Sequence, residues 1–311
     1  MIQMPGKSYH GPLPALTEAE NSLQHELRAH VEKLAGEIGE RNLIWYKNLT
    51  AAAEYIEASL TKAGYAVHQH GYEVSGRTSY NLEVEIAGTD RPEEIVIIGA
   101  HYDSVTGSPG ANDNATGVAA ILALADRFSG QRTSRTLRFV AFVNEEPPFF
   151  QTSSMGSRVY AQASRQRGEK VVAMLSLETI GYYAEEDGSQ RYPPPMSLFY
   201  PSTGNFIAFV GNVKSGPLVR EVVGSFRSHA KFPSEGAAFP GFIPGVGWSD
   251  HWAFWKEGYP AVMVTDTAPF RYPAYHSHQD TPEKVKYDQM ARVVGGLGKV
   301  IADLANPASG P

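Results

Sequence analysis

The segment that most constrains the fold of this chain runs from Val96 to Phe128. It begins in an apolar, β-branched run that is short enough to be a buried strand. His101 and Asp103 follow the end of that run, Asp113 follows a loop rich in Gly, Ser and Pro, and apolar residues at helical spacing begin at Thr116. Because open α/β sheets bind ligands at the carboxyl ends of their strands, histidine and carboxylate at this place predict a metal site.

Segments typical of strands alternate with segments of helical periodicity along the chain. This alternation predicts an α/β fold, with a mostly parallel, mixed central sheet and helices on both faces. The predicted strands are Tyr65–Val74, Tyr80–Ile86, Glu94–Gly99, Thr136–Val143, Val171–Leu177, Pro193–Tyr200, Asn205–Val210 and Ala261–Thr265. The predicted helices are Leu16–Ala35, Ala51–Ala63, Thr116–Phe128, Met155–Arg165, Pro217–His229, Ser249–Glu257 and a final one that starts at Thr281.

The domain organisation follows from the composition of the connecting segments. The Pro/Gly-rich start predicts an extended N-terminal arm over residues 1–15. No later linker is long enough to divide the chain, so residues 16–306 are expected to form a single catalytic α/β domain. Residues 232–247 are rich in Gly and Pro and have no periodicity, which predicts an ordered loop at the active site.

Charge and residue types exclude several classes of protein. The net charge of −6 over 311 residues argues against nucleic acid or an anionic membrane as the main partner. The chain has no cysteine, so any zinc must be held by histidines and carboxylates. No stretch approaches the roughly 20 apolar residues of a membrane span. The start has no signal-peptide core, so a cytoplasmic protein is the default expectation, and a periplasmic or secreted one if a leader has been removed. No sequence feature specifies an oligomeric state.

Residues of the kinds that bind metal recur at four strand ends or in the loops that follow them. A single histidine there is more often a hydrogen-bonded structural residue, so the joint pattern carries the prediction. Four carboxylates in one partly buried site would have to take up protons unless cations offset their charge. Two divalent ions would do so, and histidine with carboxylate suits zinc. The residues are His101, Asp113, Glu145, Glu146, Glu178 and His276.

Several motifs in this order resemble the M28 family of zinc aminopeptidases, whose members bind two zinc ions. The matching segments are His101–Ser104, Gly110–Gly117, Asn144–Glu146, Met155–Ser157, Glu178–Tyr182, Ser249–His251 and Tyr275–Thr281. The resemblance covers the chain from about Ala51 to the final helix. It implies the zinc-exopeptidase fold, which is phosphorylase/hydrolase-like, and a peptide or small aminoacyl compound as substrate.

The resemblance also implies a role for each residue. His101 and Glu178 would hold one zinc ion, Glu146 and His276 the other, and Asp113 would bridge the two. Glu145 would be the general base for a zinc-bridging water that attacks the peptide carbonyl. Tyr275 would donate a hydrogen bond to the developing oxyanion, although a packing role is an equal alternative. The resemblance further implies a cis peptide bond between Asp113 and Asn114.

Some neighbouring residues have two interpretations. Asp103 is the natural partner to orient the His101 ring, or else it caps a turn. His278 is the alternative to His276 as a ligand. Ser249, Asp250 and His251 are expected to line or support the pocket, because consecutive residues do not converge as a Ser-His-Asp triad does.

An apolar pocket for the N-terminal side chain of a peptide is a further expectation. Residues 147–150, together with Phe242, Trp248 and Phe270, would wall it, or else they pack as ordinary loops.

Three other functions remain open at this point. One is a glutaminyl-cyclase-like enzyme with a single working zinc ion, and another is a non-catalytic binding domain of the same fold. The third is a carboxypeptidase, which needs cationic groups for the substrate carboxylate; Arg158 and Arg271 lie near the motifs.

Overall fold

The computed structural model describes residues 2–307. Met1, which belongs to the predicted arm, lies outside the described residues. The strands are β1 (His68–Val74), β2 (Arg77–Ile86), β3 (Arg91–His101), β4 (Arg135–Phe142), β5 (Lys170–Glu178), β6 (Ile207–Gly211), β7 (Ser234–Ala238) and β8 (Ala261–Thr265). The helices are α1 (Glu18–Val31), α2 (Tyr46–Lys62), α3 (Thr116–Phe128), α4 (Gly156–Gln166), α5 (Gly216–His229), α6 (His251–Lys256) and α7 (Tyr287–Ala305).

All eight strands belong to one mixed sheet, in the order β1-β2-β4-β3-β5-β8-β6-β7. The central strands β4, β3, β5 and β8 are parallel to one another. The antiparallel pairings are β1 with β2, β2 with β4, and β6 with β8. Strand β7 pairs in parallel with β6 at the far edge. This arrangement confirms the predicted α/β class with a mixed sheet.

Strand β3 is buried on both faces, as its continuous apolar run predicts. Val96 and Ile98 pack in the core that includes α1, α3 and α7, and Ile95 and Ile97 pack in a second core with α4 and α6. Each of these side chains contributes about 1.5–3 kcal/mol by leaving water. The strand is therefore a rigid support for the residues at its carboxyl end.

The helix boundaries agree with several local signals. Thr17 caps α1 in a capping box, because its side chain accepts from the amide of Glu20 while the Glu20 carboxylate accepts from Thr17. After α1 the chain continues in a π-helical segment, Glu32–Ile38. Helix α2 starts at Tyr46, before the predicted Ala51, and Gly64 follows its end with a φ of 96°.

Three predictions about secondary structure are wrong. Pro193–Tyr200 is not a strand but a loop with a 3-10 turn at Met196–Leu198, since three consecutive prolines have no N–H groups for a sheet. The segment 232–247 is not entirely loop, because it contains β7, whose small residues give no apolar alternation. The last helix starts at Tyr287, after a separate 3-10 turn at Pro282–Lys284.

Candidate metal centre

The carboxyl ends of the central strands meet at one edge of the sheet, because those strands are neighbours and parallel. His101 is the last residue of β3 and Glu178 the last residue of β5. Glu145 and Glu146 follow β4, and His276 follows β8. Asp113 lies in the turn that precedes α3. The fold therefore brings together all six residues that the sequence singled out.

Asp113 stands between two groups of possible metal ligands. Nε2 of His101 lies 3.2 Å from Oδ1 of Asp113 and 3.3 Å from Oε2 of Glu178. Nε2 of His276 lies 3.1 Å from Oδ2 of Asp113 and 3.3 Å from Oε2 of Glu146. Two ligand atoms about 2.0–2.2 Å from a tetrahedral ion lie about 3.4 Å apart, so both groups have the dimensions of a zinc site.

The bonding of the buried atoms also fits a metal. Nε2 of His101 and both carboxylate oxygens of Asp113 are buried. Among residues 2–307, none of these three atoms makes a hydrogen bond of suitable geometry. Buried polar groups normally find a partner, and cations are suitable partners for an imidazole nitrogen and a carboxylate. The donor set of imidazoles and carboxylates therefore suits two divalent ions that share Asp113.

Burial dominates the electrostatics of the carboxylates. It raises the pKa of Glu146 to about 7 and the pKa of Glu145 well above the usual range, with nearby carboxylates adding to the latter shift. Burial alone would raise the pKa of Asp113 too, but the imidazoles of His101 and His276 lower it. Burial therefore favours the protonated carboxyl groups in the absence of metal, and cations would replace those protons.

The loop that carries Asp113 is held in place by Asp280. The carboxylate of Asp280 accepts hydrogen bonds from the amides of Asn112 (2.8 Å) and Asp113 (3.0 Å), and from the hydroxyl of Tyr272 (2.9 Å). Gly110 has a φ of 64°, and a Cβ there would lie 2.5 Å from the carbonyl oxygen of Asp113. The peptide bond between Asp113 and Asn114 is cis, which confirms that prediction.

Asp103 serves both of the roles suggested for it. Nδ1 of His101 lies 3.2 Å from the carbonyl oxygen of Asp103 and 3.5 Å from its carboxylate. The two carboxylate oxygens accept from the amides of Glu145 and Glu146, each at 3.1 Å. Asp103 therefore joins the end of β3 to the turn after β4.

The spare polar residues lie around the centre without entering either group. Oγ of Ser249 donates to Oε2 of Glu178 at 2.7 Å, whereas Nε2 of the buried His251 pairs with the carbonyl oxygen of Val246 at 2.8 Å. These separate partners agree with the expectation that Ser249–His251 forms no triad. His278 is exposed and belongs to neither group of possible ligands among residues 2–307.

Arg41 is a residue of this site that the sequence did not indicate. Its side chain is fully buried and donates to five backbone carbonyls, among them those of Tyr102 (2.6 Å) and Gly110 (2.8 Å). It therefore fixes the loop between β3 and the turn of Asp113. No motif or periodicity in the sequence marks it.

An apolar pocket opens beside Glu178 and Tyr275. It has an empty volume of about 780 Å³, including its open mouth. Trp248 and Phe270 line it, as expected, and their rings stack with centroids 6.2 Å apart. The expectation is wrong for Phe242 and for residues 147–150, which are not among the lining residues; Phe242 is 87% exposed.

The arginines that a carboxypeptidase would need are engaged elsewhere. Arg158 pairs with Glu257. Arg271 is buried and donates to Gln190 (2.7 Å) and to the carbonyl oxygen of Phe206 (2.8 Å). Neither arrangement supports binding of a substrate carboxylate at the metal centre.

A comparison with known protein families decides the family of this chain. The sequence model of Peptidase family M28 matches residues 81–301, which include all six residues of the centre. The chain belongs to peptidase family M28. It is therefore a hydrolase of a peptidase family, and the expected resemblance is confirmed.

Relatives and solved structures agree with this family. The chain is 41% identical over 259 residues to the Escherichia coli protein YfbL, covering 80% of this chain and 79% of YfbL. It is 30% identical over 205 residues to leupeptin-inactivating enzyme 1 of Streptomyces exfoliatus, covering 63% of this chain and 43% of that enzyme. The chain thus spans less than half the length of the second relative.

Two solved structures of similar fold are an aminopeptidase and a glutaminyl cyclase. The zinc aminopeptidase BSAP of Bacillus subtilis superposes with a TM-score of 0.72 at 15% identity, over 93% of this chain and 96% of BSAP. A glutaminyl cyclase of Fimbriiglobus ruber superposes with a TM-score of 0.68 at 22% identity, over 96% of this chain and 99% of the cyclase.

Among the described residues of this M28 chain, no helix is both long and apolar enough to span a bilayer.

Proposed function

We propose that this M28 chain is an aminopeptidase that binds two zinc ions and releases N-terminal residues from peptides. The observation that carries the proposal is that Asp113 directs one carboxylate oxygen to His101 and the other to His276. His101 and Glu178 would hold one ion, and Glu146 and His276 would hold the other. Asp113 would contact both ions. When bound, the ions would act as Lewis acids that lower the pKa of water in the site and polarise the scissile carbonyl.

Glu145 is the residue best placed to move the proton. It belongs to neither group of possible ligands, yet its Oε2 lies 3.8 Å from Nε2 of His101. It would accept a proton from the attacking water and transfer it to the leaving amine. Its burial favours the protonated form between these two transfers. Tyr275 stacks on His276 and lines the pocket, so its hydroxyl is the candidate donor to the oxyanion.

The pocket supports cleavage at the N-terminal side of a peptide. It adjoins Glu178 and Tyr275 and is lined mainly by apolar and aromatic residues, so it suits the side chain that precedes the scissile bond. The arginines that would favour the opposite polarity are engaged elsewhere. BSAP, a protein of similar fold, is a zinc aminopeptidase, which adds support.

A glutaminyl-cyclase-like reaction is the second candidate, because a cyclase also shares the fold. The presence of two complete groups of possible ligands makes the two-ion hydrolase the better supported function.

The two functions differ in metal content and product. We would measure zinc per chain by elemental analysis, and hydrolysis of aminoacyl chromophores before and after chelation. We expect two zinc ions per chain. We also expect hydrolysis to be lost on chelation and restored by zinc. One zinc ion, with ammonia released from N-terminal glutamine and no aminoacyl cleavage, would replace the proposal by the cyclase. A chain that binds no zinc and cleaves nothing would be a binding domain.

A further inference from the structure

One row of side chains crosses the floor of the apolar pocket from the metal centre to the far edge of the sheet. Glu178 of β5 pairs with Thr265 of β8, Thr265 pairs with Ala208 of β6, and Ala208 pairs with Glu235 of β7. Residues directly opposite each other on paired strands point to the same face. All four residues line the pocket. The row therefore has a carboxylate at each end and small side chains between them.

The length of this row can be compared with possible substrates. Neighbouring strands lie about 4.8 Å apart, so three steps place the two glutamates about 14 Å apart at their Cα atoms. Allowing about 3 Å at each end for a polar contact leaves about 8 Å. That distance is roughly the span from the α-amine to the side-chain nitrogen of an extended lysine or arginine.

The carboxylate of Glu235 is available to such a group. Among residues 2–307 its one salt-bridge partner is Arg227, at 4.0 Å. The Arg227 guanidinium is already bonded to the side chain and carbonyl of Ser234 and to the carbonyls of Pro5 and Gly6. The Glu235 carboxylate accepts no hydrogen bond from the described part of the chain, and the side chain is 23% exposed. A half-buried carboxylate in an apolar pocket is strongly stabilised by a cation that enters with the ligand.

We propose that Glu235 selects peptides whose N-terminal residue is lysine or arginine. This inference rests on the proposed aminopeptidase function. The α-amine lies at the Glu178 end of the row and the side-chain cation at the Glu235 end. The methylene groups lie along Ala208 and the next row of the floor, Met263 and Val210. Long amphipathic side chains bury their stems against apolar surface in this way while the charged tip finds a polar partner.

The test compares substrates that differ only in the charge at the tip. Lysyl and norleucyl p-nitroanilides have stems of similar length, and only lysine carries the ammonium group. For the wild-type chain, kcat/KM for the lysyl substrate is expected to be at least about tenfold that for the norleucyl substrate. In Glu235→Gln this ratio falls by about tenfold, and in Glu235→Lys it falls further. Glu221→Gln, an exposed glutamate on α5, is the matched control and keeps the wild-type ratio.

Each outcome bears on one proposal or on both. If kcat/KM of the wild-type chain for the lysyl substrate is equal to or below that for the norleucyl substrate, the proposed role of Glu235 is overturned. This measurement needs no variant. A high ratio that survives in folded Glu235→Gln also overturns it, while the aminopeptidase proposal stands. Absence of hydrolysis of every substrate overturns the proposed function, and this inference with it. As a measurement without turnover, L-lysine is expected to raise the unfolding temperature of the zinc-loaded chain more than L-norleucine, and Glu235→Gln removes that difference.

Discussion

Nη2 of Arg41 donates a hydrogen bond of 2.8 Å to the carbonyl oxygen of Gly110. Arg41 precedes the segment that matches the M28 family, residues 81–301, whereas Gly110 begins the turn that carries Asp113. The metal centre therefore depends on a residue from the N-terminal helical region. The fully buried guanidinium also places a positive charge near the acidic cluster.

Replacing Arg41 by methionine removes this contact and leaves several buried carbonyls without a donor. Because each such group costs about 1–3 kcal/mol, we expect Arg41→Met to lower the free energy of unfolding by about 3 kcal/mol or more. Urea unfolding measures the change. Arg132→Met, at an exposed arginine, should stay within about 0.5 kcal/mol of wild type. Equal stability of the two variants would show that Arg41 does not support the loop.

Ser249 orients the Glu178 carboxylate by its hydrogen bond of 2.7 Å. Residues that orient metal ligands typically contribute 10–100-fold to metal affinity. Ser249→Ala is therefore expected to weaken the binding of one zinc ion by about 10–100-fold, as measured by competition with a chromophoric chelator. Ser153→Ala, at an exposed serine, is the control. Wild-type affinity for both ions in Ser249→Ala would contradict this role.

Glu145→Gln separates chemistry from metal binding. The amide cannot act as a base, and Glu145 belongs to neither group of possible ligands. We expect the zinc content to remain and kcat to fall by roughly 10²–10⁴. Glu93→Gln, on the exposed start of β3, should retain wild-type turnover. Normal turnover in Glu145→Gln would remove this residue from the mechanism.

Asp250 is expected to make the stability of the metal-free protein depend on pH. Burial raises its pKa from 3.8 to about 7, and neither carboxylate oxygen has a hydrogen-bond partner among the described residues. The folded chain keeps a proton that the unfolded chain releases, so the contribution of Asp250 to stability is complete below the unfolded pKa of 3.8. It is lost as the pH rises towards 7.

The asparagine of the Asp250→Asn variant stays neutral over the whole pH range from 5 to 8. Relative to wild type, Asp250→Asn should therefore become more stable as the pH is raised from 5 to 8. Urea unfolding of the chelated proteins at both pH values gives the difference. A difference that does not change with pH, or that changes in the opposite direction, would show that Asp250 is ionised in the folded chain.

Much of this protein follows from local sequence. The β-branched run of β3 predicts a strand buried on both faces, and alternating strand and helix patterns predict an α/β sheet. The motifs around His101, Asp113 and Glu178 indicate a metal site because few other reasons place so many ligand types at strand ends. The Thr17 capping box and Gly64 are short-range features that mark the start of α1 and the end of α2.

Only the tertiary structure decided which distant residues meet. Arg41 carries no local signal, because its partners are backbone carbonyls whose positions depend on how two segments pack. Phe242 is aromatic, as many pocket residues are, but it faces solvent. The path of its loop, and not its hydrophobicity, sets the direction of the side chain. Glu235 reaches the row of Glu178 only through the register of four strands, and β7 is too short and too poor in apolar residues to reveal that register. The sequence determined the chemistry of the site, whereas long-range strand pairing determined the shape of the pocket beside it.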